Sequence, residues 1–195
     1  MGSIRNLFAL IGVLVVLAGL AATPYLVEVK NRFAEFDENA ASIYIDMFNK
    51  ILETGSAVDA TVWRTQVSEG LSAEDVDETI KFVANERNIK NVGELPLSKQ
   101  VEAMTGKPAR FVKIYMFCNA LTAAQMLDYS DAFAAYLPCR LSLIEDKEGK
   151  LWIYTLNMDP MIYGGKPLPP ALKAEALKVK EIMLDVLERG AKGEF

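Results

Sequence analysis

Two thiols are the most reactive groups in this chain. Cys118 closes the run 110–118 (RFVKIYMFC), and Cys139 opens the run 139–145 (CRLSLIE). A thiolate is a nucleophile and a soft metal ligand, and a cation beside it, here Arg140, favours that form. No Cys-x-x-Cys spacing is present, and no helix clearly starts at either Cys. Three roles stay open: small buried hydrophobes, a structural disulfide, or a reactive or ligating pair. Met116, Met126, Met158 and Met161 fall in or near the same segments. Thioethers with thiolates can hold haem iron or copper without histidine, although methionine is more often core filler. No cofactor is expected from the residues, with haem as an alternative. Glu145, Asp146 and Asp159 could pose as general acids, but the first two border a turn and read as solvated. Gly164-Gly165 lacks the strand–loop–helix setting of a phosphate loop.

Composition narrows the chemistry further. The chain of 195 residues has no histidine, which excludes Ser-His-Asp triads, Cys-His dyads and His-ligated metals. With 21 Lys+Arg against 26 Asp+Glu, it lacks the basic surplus that nucleic-acid binding draws on. No nucleic-acid partner is expected.

The elements that must position the thiols follow from periodicity. Residues 61–67 alternate as a strand. Ser72, with Glu74 and Asp75, starts a helix whose apolar side is Val76, Ile80, Phe82 and Val83. Asn91-Val-Gly reads as the start of a loop, and residues 96–104 as a short helix. In 110–118, Val112, Ile114, Met116 and Cys118 share one face, and Phe111, Lys113, Tyr115 and Phe117 share the other. Thr122 and Ser130 are caps for two following helices. Residues 139–145 and 151–157 form a hairpin around Asp146–Lys150, with Gly149 free to take positive φ. Residues 158–170 read as loop. A last helix over 171–189 buries Leu172, Ala176, Val179, Met183 and Val186, and stops at Gly190. The order β-α-α-β-α-β-β-α predicts an α+β fold: a small, mostly antiparallel sheet with helices on one face.

Phe117-Cys118-Asn119, an Ala-rich helix, Pro138-Cys139-Arg140 and a hairpin with Gly149-Lys150-Leu151-Trp152 together resemble the family catalogued as domain of unknown function 302. Leu156-Asn157-Met158-Asp159 and the ending from Gly190 fit the same pattern. The resemblance covers residues 57–195. It implies a compact fold of TATA-box-binding-protein-like architecture that is able to dimerise. It implies no reaction, so no catalytic residue is carried over. Cys118, Asn119, Cys139 and Arg140 occupy the motif positions. With Asn157 and Met158 they are the ligand or redox candidates.

Residues 1–27 depart from that pattern. No charge falls between Arg5 and Glu28, and a helix over 6–27 would be about 33 Å long, enough for a bilayer core of about 30 Å. Leu7, Leu10, Val13, Val16 and Leu20 supply its apolar surface, and Tyr25 stands where an interfacial aromatic belongs. Arg5 predicts a cytoplasmic N-terminus, with the rest of the chain outside a bacterial inner membrane. The length of the run favours a retained anchor over a signal peptide cleaved before Ala22. Residues 28–56 are expected to be a stalk helix, with Val29, Phe33, Phe36, Ile43, Met47 and Ile51 on a heptad-like stripe. The domain proper is 57–195. No complete catalytic set is visible. The expected role is therefore a membrane-anchored periplasmic accessory or scaffold subunit. It would contact lipid through the span, and a membrane complex or a second copy through the stripe. The alternative is a redox or ligand-binding module built on Cys118 and Cys139.

Overall fold

A computed structural model describes residues 2–195. The first helix, α1 (Gly2–Phe33), contains the uncharged run and continues past it. It is long and apolar enough to cross a membrane, and its apolar window has no buried residue. A globular helix with that composition would bury a face, and this one buries none in its apolar window.

The expected stalk helix over 28–56 is broken after Phe33 and does not run as one helix. α1 ends at Phe33, a turn follows, and α2 spans Ala40–Thr54. The break is made by Asp37, which is only 6% exposed. Its carboxylate accepts from the Asn39 backbone and side-chain amides at 3.0 Å each and pairs with Lys173 at 2.5 Å. An aspartate committed to a local turn competes with continued helix. The heptad-like stripe is therefore split. Val29 and Phe33 lie exposed on α1, and the Phe36 ring lies tilted against Phe33 with centroids 5.2 Å apart. Ile43, Met47 and Ile51 are half-buried on the inner side of α2, where Ile43 and Met47 border Ala60, Val62 and Trp63. α2 packs on α3 (Ala57–Ala60) and α7 (Asp159–Tyr163). Its outer face carries a different set: Ile45, Phe48 and Leu52, all exposed.

The domain is one antiparallel sheet in the order β1-β5-β4-β3-β2, with β1 Val62–Gln66, β2 Lys90–Leu95, β3 Val112–Cys118, β4 Cys139–Glu145 and β5 Leu151–Leu156. β2 corrects the expected loop at Asn91. Its sequence, KNVGEL, lacks a β-branched run, and a bulge between Asn91 and Gly93 interrupts its pairing with β3. A Cβ on Gly93 would stand 2.7 Å from Met116 Cε, so glycine admits the close approach.

The alternation in β3 is as expected. Tyr115 and Phe117 point into the core, joined by Leu141 and Leu143 from β4 and Ile153 from β5. Each such side chain contributes about 1.5–3 kcal/mol on burial. Two helices supply the opposing layer, α4 (Ala73–Glu86) and α8 (Pro170–Lys192). Ser72 caps α4 with a reciprocal Asp75 contact. The predicted stripe of α8 is buried throughout, but the helix passes Gly190 and ends at Gly193, where φ is +68°. Gly190 is instead a packing residue: a Cβ there would meet Ile80 Cγ1 at 2.9 Å and Ile153 Cδ1 at 3.2 Å. The segment 158–170 is not all loop, since α7 lies within it.

Candidate functional site

The strand register brings both thiols to one end of the sheet. Phe117 of β3 pairs with Cys139 of β4, so Cys118 is one step beyond that pair. Successive side chains leave a pleated strand on opposite sides. Cys139 shares the helix side with its partner Phe117, and Cys118 is offset from it. Both cysteines are free and half-buried.

Asn119 follows Cys118 directly and caps α6 (Ala120–Tyr129). Its side-chain oxygen accepts from the Leu121 and Thr122 amides at 3.1 and 3.2 Å. This corrects the cap expected at Thr122, which lies inside the helix and is buried. Ser130 accepts from Ala132 and opens a 3-10 turn over 131–136, as its expected capping role requires. α6 and this turn form a lid over the strand ends. Asn157 has a parallel local role, accepting from the Asp159 amide at 2.9 Å where α7 begins. Arg140 is exposed, and only its carbonyl is tied, to the Thr155 hydroxyl.

Beneath the lid is a cavity of about 40 Å³ lined by Cys118, Cys139, Met126, Met158 and Met161, with Phe117, Phe133 and Tyr136 among its apolar walls. Asn119 and Thr122 also border it, but no charged residue does. A wider cleft of about 270 Å³ adjoins it and shares Tyr136, Cys139, Met158 and Met161. Arg140, Ser142 and Tyr154 give that outer part its polar rim. Of the six ligand or redox candidates, five border this composite cleft. Asn157 borders a separate groove with Ile43 and Asp159. Met126, Met161 and Tyr136 complete the site, and their separation along the chain kept them from standing out as one cluster. Met116 lies outside it, near Gly93.

Burial pushes the Cys139 thiol up to about 11, helped by neighbouring Cys118. Arg140 does not reverse this, because its exposed side chain leaves the buried sulfur without a close cation. At neutral pH Cys139 is a thiol, a poor nucleophile for exchange. The acidic candidates have structural work. Asp146 accepts from the Glu148 and Lys150 amides and from Trp152 Nε1, which organises the hairpin turn. Asp159 pairs with Lys180, whose ammonium also lies over the Trp63 ring. Among the described residues no cluster of three or more Cys, Asp or Glu is placed to hold a metal.

A second set of contacts joins the anchor to the domain. The Asp37 amide donates to the Gly165 carbonyl at 2.8 Å, Tyr44 donates to the Gly164 carbonyl at 2.5 Å, and Lys166 pairs with Glu35 at 2.5 Å. With Asp37–Lys173, these contacts bind the turn after α1 and the first part of α2 to the segment from Gly164 to the first turn of α8. Gly164 and Gly165 thus receive the linker through their carbonyls, a use invisible to motif reading.

Comparison with known proteins places the fold. A crystal structure of an uncharacterized conserved DUF302 protein from Bacillus stearothermophilus is similar, with a TM-score of 0.54 at 17% identity, over 66% of this chain and 97% of that one. At that identity the likeness shows the fold alone. No curated protein matches. The family described as domain of unknown function DUF302 matches residues 63–190, more than half of the chain. The span of that match runs from the second residue of β1 through most of α8 and includes every residue of the inner thiol cavity, so this chain belongs to the DUF302 family and carries in addition an N-terminal helix fit to cross a membrane.

Proposed function

We propose that this protein is a membrane-anchored accessory subunit whose DUF302 domain is held against the outer surface of a bacterial inner membrane. The observation that carries the reading is the joint between α1 and the domain. A loose tether needs no built junction. Here a nearly buried carboxylate, two backbone carbonyls and a second ion pair fix the first residues after the helix. Arg5, ahead of the apolar run, orients the N-terminus toward the cytoplasm by the positive-inside rule. α2 starts seven residues after α1 ends. Ile45, Phe48 and Leu52 on its outer face supply apolar contact area for a partner subunit. The test is purification of the intact chain in mild detergent. Full-length mass with stoichiometric partner proteins, lost on Phe48→Glu with Leu52→Glu, supports the reading. A processed chain beginning near Ala22, alone in solution, overturns it.

A second reading is favoured by the convergence of Cys118, Cys139 and three methionines on one cleft. The domain would then hold a ligand there. Thiol exchange is the weaker form of this reading, because burial disfavours the Cys139 thiolate and the partner sulfur is offset in register.

A further inference from the structure

The inner cavity is unusual in what it gathers. The chain has ten sulfur-bearing residues, eight Met and two Cys. Five of them line this one small space. They come from four separate elements: the end of β3, the start of β4, α6, and the start of α7. Met126 and Met158 are buried in the core, whereas both cysteines stand half-buried at its margin. Ordinary core filling by methionine needs no paired thiols at the opening.

Size and donor chemistry then select a ligand class. A cavity of about 40 Å³ admits one ion or a water or two, not an organic cofactor. Its lining has no carboxylate, imidazole or ammonium. The Asn119 side-chain oxygen is already engaged by two amides. The donors left are thiols and thioethers, which suit a soft monovalent ion and not a hard one such as Ca²⁺ or Mg²⁺. Zn²⁺ would want four thiolate, imidazole or carboxylate ligands, and this space offers two.

Resting on the ligand-holding reading of the cleft, we infer that Cys118 and Cys139 bind one Cu(I) ion as thiolates, with the thioethers of Met158, Met161 and Met126 completing a dry, all-sulfur surround. Binding forms two Cu–S bonds and releases the two thiol protons, leaving a site with a net charge of −1. No electron changes hands. Phe117 and Phe133 give the cavity apolar walls.

The experiment uses the full chain in mild detergent, anaerobic and reduced, titrated with Cu(I) against a chromophoric Cu(I) chelator. The expected result is one Cu(I) retained per chain, with a sulfur-to-copper charge-transfer band and sulfur-only coordination by X-ray absorption. Cys118→Ser and Cys139→Ser should each lower the apparent affinity by at least 100-fold. Met158→Leu, which conserves volume, should lower it by about 10-fold without altering the circular dichroism spectrum. Zn²⁺ should not be retained against a chelator of matched strength. Failure to hold Cu(I), or retention indifferent to all three substitutions, overturns the inference. A parallel titration with haem separates the two levels. A Soret band that depends on Cys118 or Cys139, with no Cu(I) uptake, would sink the copper site and keep the ligand-holding reading. Neither ligand bound would sink both.

Discussion

Single side chains at the strand ends do unequal work. Asn119 holds a family-motif position, yet its visible task is local: it satisfies two amides at the start of α6, and so sets the lid over the thiols. Asn119→Ala should cost about 1 kcal/mol, the usual value of a lost cap, and Asn119→Asp should recover most of it. Thermal denaturation followed by circular dichroism measures both. Gly190 poses the opposite problem, because there is no room for a methyl group. Gly190→Ala must push against Ile80 and Ile153 and should destabilise by about 1–3 kcal/mol, although alanine is the better helix former. An unchanged midpoint would mean that the α8–α4 contact yields easily. Both roles were partly legible in the sequence. Asn is a common cap and Gly a common stop, but which residue does which depends on neighbours distant in the chain.

Among the elements, the turn between α1 and α2 carries the most consequence. Lys173 beside Asp37, with the Asn39 amide, holds the Asp37 carboxyl below the usual carboxylate range despite its burial. A depressed native value means that the carboxylate form stabilises the joint fully above the unfolded value of about 3.9, and that this stabilisation is lost as pH falls through the native value. The joint should therefore stay closed at neutral pH and loosen in acid. Asp37→Asn should loosen it at neutral pH and remove the acid dependence. Lys173→Met leaves a buried carboxylate without its cation, and should cost about 1–3 kcal/mol. Limited proteolysis between Phe33 and Ala40, followed by mass spectrometry across a pH series, reads all three. Cleavage of the wild type at neutral pH as fast as of Asp37→Asn would show that the joint is not held by this pair. The heptad-like spacing over 29–51 could not reveal the break. Asp37 sits within a pattern that is otherwise helical, and its partner lies 136 residues away.

At the scale of the whole molecule, the proposed topology sets the DUF302 domain outside the cytoplasm. A reporter fused after Phe195 tests it. Alkaline phosphatase activity with a dark green-fluorescent-protein fusion would place the domain outside the cytoplasm. The reverse pattern would invert the topology. A chain lacking residues 2–33 should lose membrane attachment yet keep the five-stranded sheet, because α1 contributes nothing to the buried core. Soluble expression with an unchanged far-ultraviolet spectrum per domain residue is the expected result.

Local chemistry determined much of this protein before folding is considered. An uncharged run long enough for a bilayer, period-two alternation in β3, β4 and β5, the Ser72 cap and the α8 stripe all depend on residues within a few positions of one another. The α+β class and the membrane-fit helix followed from them. Tertiary structure decided what depends on residues brought together from far apart. β2 is a strand because β3 offers it an edge and Gly93 allows the approach to Met116. α2 turns away from α1 because Asp37 finds Lys173. The five sulfurs share one cavity because β3 and β4 pair with Cys118 and Cys139 at one end of the sheet, while α6 and α7 close over the strand ends. Spacing along a chain encodes faces of single elements. Partners across the fold are set by packing and register, which no local pattern contains.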